Sequence, residues 1–170
     1  MTSLAIAVIF PFAMLYAATS DLVSMTIANR VSVLLALAFP AVAYAAGFTP
    51  SDIGAHLGVG LICLTVCFGM FAAGWMGGGD AKLLAATAVW FGPTTALFEY
   101  ILLASIYGGL LTIGLLTIRM FFQPVTGIVF VDRLLDRQTG IPYGIALGLA
   151  GLTVYSGSVW VHIAARTAPF

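Results

Sequence analysis

Residues 75–93 read WMGGGDAKLLAATAVWFGP, and whether this stretch crosses a membrane decides the fold. Its apolar part, 81–92, is about a dozen residues, roughly 18 Å at helical rise, and Gly92-Pro93 ends it. Longer apolar runs lie around it at 3–20, 31–47, 53–76, 94–118 and 141–164. Loop charge arbitrates, because Lys and Arg accumulate on the cytoplasmic side of a membrane. If 81–92 crosses, Arg30, Lys82, Arg119, Arg133 and Arg137 share one face and only Arg166 lies on the other. If it does not, the six split evenly. The asymmetric split predicts an all-α integral membrane protein with six transmembrane helices and both termini on the non-cytoplasmic side.

Composition points the same way. Of 170 residues 62% are hydrophobic and 7% charged, with mean hydropathy +1.13, too few charges to cover the surface of a soluble domain. Net charge is zero and no basic block occurs, so nothing points to nucleic acid. No hydrophilic stretch could form a second domain, which leaves one membrane-embedded domain over 1–170. The first apolar run lacks a preceding Lys or Arg, so it reads as a retained helix rather than a cleaved signal. Cys63 and Cys67 fall four apart on one helix face without the paired spacing of a zinc site, and read as small core residues.

Asp21 is the only charged residue among the first 29. A carboxylate in such surroundings is costly and marks a functional group by default; as a simple helix end at the headgroups it would need no function. Asp80 follows Gly77, Gly78 and Gly79. Three successive glycines weaken a helix, and unwound backbone at membrane depth needs protein or a wet cavity around it. They also clear the approach of a substrate strand or a second helix to Asp80. The plainer reading makes Asp80 the N-cap of the next helix, and both can hold. In the six-crossing topology the two aspartates lie on the cytoplasmic side. Two such carboxylates at contact distance share one proton. The ionised one can then draw a proton from water while the protonated one hydrogen-bonds a scissile carbonyl. That chemistry needs no metal, cofactor or covalent intermediate.

Other charges read more plainly. Asp52 and Glu99 fall in short outside loops as solvated charges, and His56 and His162 as interfacial residues remote from the pair. In 119–140, Ile128, Val131, Leu134 and Leu135 recur at helical spacing, which suits a short surface helix. Its Asp132, Arg133, Asp136 and Arg137 read as i,i+4 neighbours. Lys82 could support an ionised Asp80, or could act as a snorkelling anchor at the membrane face.

Gly77-Gly78-Gly79-Asp80-Ala81-Lys82-Leu83-Leu84-Ala85 closely resembles the GxGD signature of the type IV prepilin peptidases. Asp21 with Ile27-Ala28-Asn29-Arg30 resembles that family's first catalytic aspartate and its I-P-N-x stretch. Ile141-Pro142-Tyr143-Gly144 is similar to the proline-glycine start of its last helix. The resemblance implies a six-helix inner-membrane aspartyl endopeptidase. It implies that Asp21 and Asp80 remove the leader of prepilins or pseudopilins at the cytoplasmic face, just ahead of the substrate's hydrophobic helix. The small size is similar to the form that serves tight-adherence pili. Two departures stand out: Ala28 replaces the family's usual proline, and Val23-Ser24-Met25 replaces a commonly basic stretch. The four-cysteine zinc-binding region linked to N-methylation in long members is absent, so no methyltransferase activity is expected.

Two other functions fit a membrane carboxylate pair. A proton- or solute-coupled transporter would use the same aspartates but should repeat its glycine break in the second half, and none follows residue 100. A non-catalytic assembly subunit that only holds pilin helices would need neither aspartate to ionise.

Overall fold

The computed structural model describes residues 2–167, and these form eight helices and no strand. They are α1 (Thr2–Ser24), α2 (Asn29–Ala45), α3 (Pro50–Ala72), α4 (Gly78–Phe91), α5 (Thr95–Phe121), α6 (Val129–Leu135), α7 (Tyr143–Ser156) and α8 (Val159–Thr167). By length and apolarity α1, α3 and α5 can each cross a bilayer, and α7 with α8, bent by 50°, can form a fourth span. α2 has 17 residues and α4 only 14, about 21 Å at helical rise against a hydrocarbon core of about 30 Å. The apolar run at 141–164 is thus two helices broken at Gly157 and Ser158. α3 and α5 turn Leu61, Ile62, Phe68, Leu110 and Ile113 outward, an apolar exterior that suits lipid rather than water.

α4 is the centre of the bundle. Ala81, Leu83 and every residue from Ala85 to Phe91 are buried, as expected of a helix apolar on all sides. It packs chiefly on α3 and α2 and meets α7, while α1 lies on α7, α8 and α2, and α5 on α7. Short side chains allow this closeness: a β-carbon on Gly60 of α3 would collide with Val89. Gly92, at φ +59°, ends α4, and a β-carbon there would enter the His56 ring.

The end of α4 away from Asp80 carries the aromatic core. The Trp90 indole packs against the rings of Phe10, Phe39, Tyr155 and Trp160. Its Nε1 donates to the Leu35 carbonyl at 3.0 Å, and its own carbonyl accepts from Trp160 Nε1 at 2.7 Å. His56 belongs to this core: it is buried, stacks on Phe39 and bonds the Val89 carbonyl through Nδ1 at 2.8 Å. It is therefore a packed core residue rather than an exposed interfacial one. Asp52 is not merely solvated either. It is the third residue of α3 and completes a capping box with Thr49, accepting from the Thr49 amide at 3.1 Å.

At the opposite end, the 119–140 segment does form a short helix, α6, but its charges do not pair with one another. Asp132 accepts from the Thr126 and Gly127 amides and the Thr126 hydroxyl. Arg133 donates to the Val23 carbonyl and Arg137 to that of Arg119. Arg119 is buried and donates to the carbonyls of Leu134, Thr139 and Gly140. These bonds dock the segment against the end of α1 that carries Asp21. Arg30, Lys82, Arg119, Arg133 and Arg137 all gather at that end of the bundle.

Candidate active site

Asp21 lies near the C-terminus of α1, one turn before the chain leaves the helix at Met25, which takes a left-handed φ of +55°. It is 5% exposed. Its Oδ2 accepts a hydrogen bond of 2.7 Å from the backbone N–H of Gly144, in the first turn of α7. That amide is one of the orphan donors every helix N-terminus presents, and anions are favoured there. Only glycine fits at this position: a β-carbon on Gly144 would lie 2.9 Å from both Cβ and Oδ2 of Asp21 and 2.8 Å from Ile27 Cδ1.

Asp80 lies in the first turn of α4 and is half-buried. The three glycines divide their roles. Gly77 is extended, with φ −68° and ψ 142°, and caps the helix; Gly78 and Gly79 are already helical. The irregular backbone therefore falls at 73–77, ending at the first of the three glycines, with Gly74 at φ +75°. A β-carbon on Gly77 would come within 2.8 Å of Asp80 Oδ2, and one on Gly79 within 3.2 Å of Ile27 Cβ. Glycine here lets the carboxylate fold back over the helix start and lets the Asp21 loop pack close.

Ile27 joins the two halves. It is buried, touching Gly144 on the Asp21 side and Gly79 on the Asp80 side. The turns that carry the two aspartates thus pack on one residue, Asp21 beside Gly144 and Asp80 directly after Gly79. Among the described residues Asp80 receives no side-chain hydrogen bond, and it faces a cavity of about 690 Å³. α3 and α5 form the sides of this cavity without packing on each other. Cys63 and Cys67 line the α3 wall as free thiols, Ala104 and Ser105 the α5 wall, and Tyr143 and Gly77 flank Asp80. Cys67 is buried, as expected of a small core residue, and both cysteines also lie beside the site.

Lys82 does not pair with Asp80; its Nζ donates to Asn29 Oδ1 at 2.9 Å, tying α4 to the start of α2. Ala28, where the resembled family has proline, holds φ −65° and ψ 131°, the φ a proline ring would impose. The loop after Asp21 keeps a proline-compatible shape without the proline. Sequence reasoning did not single out Gly144, Ile27 or Tyr143 as site residues. The signal available was the Ile141–Gly144 stretch itself.

The fold and site define a helical bundle with membrane-length helices and two acidic side chains converging at one end. A model of the type IV leader peptidase family matches residues 8–113, a segment that includes Asp21 and Asp80. The chain belongs to this family of aspartic-type leader peptidases, which acts on prepilins. Among curated proteins and solved structures, none matches the chain.

Proposed function

We propose that this protein is an inner-membrane aspartyl endopeptidase that removes the leader of prepilins or pseudopilins at the cytoplasmic face, with Asp21 and Asp80 as its catalytic pair. The observation that carries the reading is the convergence of these residues from α1 and α4 around Ile27, with Asp80 open to a cavity. In the reaction one carboxylate is ionised and the other protonated. The ionised one takes a proton from water as its oxygen attacks the scissile carbonyl carbon. The protonated one hydrogen-bonds the carbonyl oxygen as that oxygen becomes negative. Collapse of the tetrahedral species breaks the C–N bond, and the amine leaves with a proton from the acid. No metal or covalent intermediate is needed.

Gly77 lines the cavity and has no side chain to bar an extended substrate from Asp80. The apolar walls of α3 and α5 suit the hydrophobic helix that follows the cut. The reading includes six crossings, both termini outside, a single domain over 1–170 and no methyltransferase activity. Lys82 supports the site by holding α2 to α4 rather than by meeting Asp80 directly. Purified protein in detergent should cleave a matching prepilin, and Asp21→Asn and Asp80→Asn should each abolish cleavage. Undiminished cutting by either variant would remove the pair.

A further inference from the structure

On the side of α4 away from the Asp80 cavity, a second groove of about 520 Å³ runs between α2 and α3. Its polar groups are gathered at one end. Lys82 and Asn29 are exposed there, and Lys82 Nζ spends one of its three donors on Asn29 Oδ1. The Ser32 hydroxyl faces the same groove and makes no hydrogen bond among the described residues. Beyond this cluster the walls are apolar, with Ala36, Leu61 and Val89 along them. From Lys82 to Val89 the groove follows α4 for about 10 Å.

We propose that this groove binds one anionic phospholipid, its phosphate held by Lys82, Asn29 and Ser32 and one acyl chain laid along Ala36, Leu61 and Val89. Charge and polarity of groove and lipid are complementary along one axis. The exposed ammonium has donors to spare and favours an acceptor that brings its own negative charge, to which the Ser32 hydroxyl adds a further donor. The remainder of the groove offers no hydrogen-bonding partner, so its occupant must be apolar from that point on. A molecule with a single anionic head and an apolar tail satisfies both ends. A wholly apolar helix would leave Lys82 without an anion, and a free phosphate would leave the apolar walls uncovered. A Lys near the surface favours anionic over zwitterionic headgroups.

Native mass spectrometry of the full-length protein in micelles with equimolar phosphatidylglycerol and phosphatidylcholine tests this. One phosphatidylglycerol should be retained roughly fivefold over phosphatidylcholine. Lys82→Gln should bring that ratio near one and Lys82→Arg should preserve it. Ala36→Phe, which fills the groove, should reduce retention of both lipids, with circular dichroism confirming that each variant is folded. Equal retention of the two lipids by the unaltered protein would overturn the proposal, as would a preference that survives Lys82→Gln. So would a dimer that Ala36→Phe converts to monomer, since the groove would then belong to a second copy.

Discussion

At Gly144 a single added methyl group is enough to test how Asp21 is held. The backbone amide of Gly144 reaches Asp21 Oδ2 at 2.7 Å, and a β-carbon would press on the same carboxylate from 2.9 Å. Gly144→Ala should therefore displace Asp21 and lower prepilin cleavage about 100-fold, the scale of loss expected from a displacement of about 1 Å. Helix content by circular dichroism should be unchanged, and activity within twofold of the unaltered enzyme would show that the amide does not position Asp21. This residue also marks a limit of sequence reading. Asp21 stood out as an isolated charge and Asp80 by a run of three glycines directly before an acidic residue, whereas Gly144 stands single among apolar neighbours. Gly144 acts through its N–H and through an absent side chain, and neither leaves a chemical signature in its own letter. His56 was hidden for a related reason: its partner is the main-chain carbonyl of Val89, on another helix.

The elements carry two further predictions. Ala28 already has a proline's φ, and its N–H makes no hydrogen bond among the described residues. Ala28→Pro should be tolerated and should stabilise by about 0.4–1 kcal/mol through the unfolded chain, read as a rise in thermal midpoint in detergent. A clear fall would mean that the loop needs freedom the ring removes. α6 depends on Asp132, whose carboxyl is held below its ordinary value of 3.8 mainly by the Thr126 side chain and amide. A depressed folded pKa means that this anchor is fully present above the ordinary value and is lost as pH falls through the lower, folded one. The Thr126 and Gly127 amide resonances should thus hold steady from neutral pH to about 4 and shift together only below it. A shift centred at 4 or above would remove Asp132 as the anchor. The helical period of α6 was legible in its apolar residues. The partners of its charges were not, because they lie in the turn before it and on α1 and α5, whose approach only the fold determines. The capping box of Asp52 is present in the letters Thr49-Pro50-Ser51-Asp52, a signal that the reading of Asp52 as a loop charge does not use.

Across the whole molecule, the site at one end of α4 is supported by packing at the other. Trp90 is fully buried among four aromatic rings and makes hydrogen bonds with Leu35 and Trp160. Trp90→Ala should cost about 3–5 kcal/mol, seen as a large drop in thermal midpoint; a drop equivalent to less than 1 kcal/mol would mean that α4 is held mainly elsewhere. The all-helical architecture was readable from the apolar runs. The break between α7 and α8 was not, since Gly157 and Ser158 interrupt a run that stays apolar on both sides. The central placement of α4 is what allows a short helix to present Asp80 at the end of the bundle where α1 carries Asp21. The claim that these two carboxylates form one working pair is tested most directly by bringing them into covalent reach. With Cys63 and Cys67 changed to Ala, the double variant Asp21→Cys, Asp80→Cys should be bridged within one chain by a short bifunctional thiol reagent, since the α-carbons of α1 and α4 stay more than 8 Å apart, beyond the reach of a direct disulfide. Failure to bridge, with the two thiols labelled from opposite faces of the membrane, would contradict the pair.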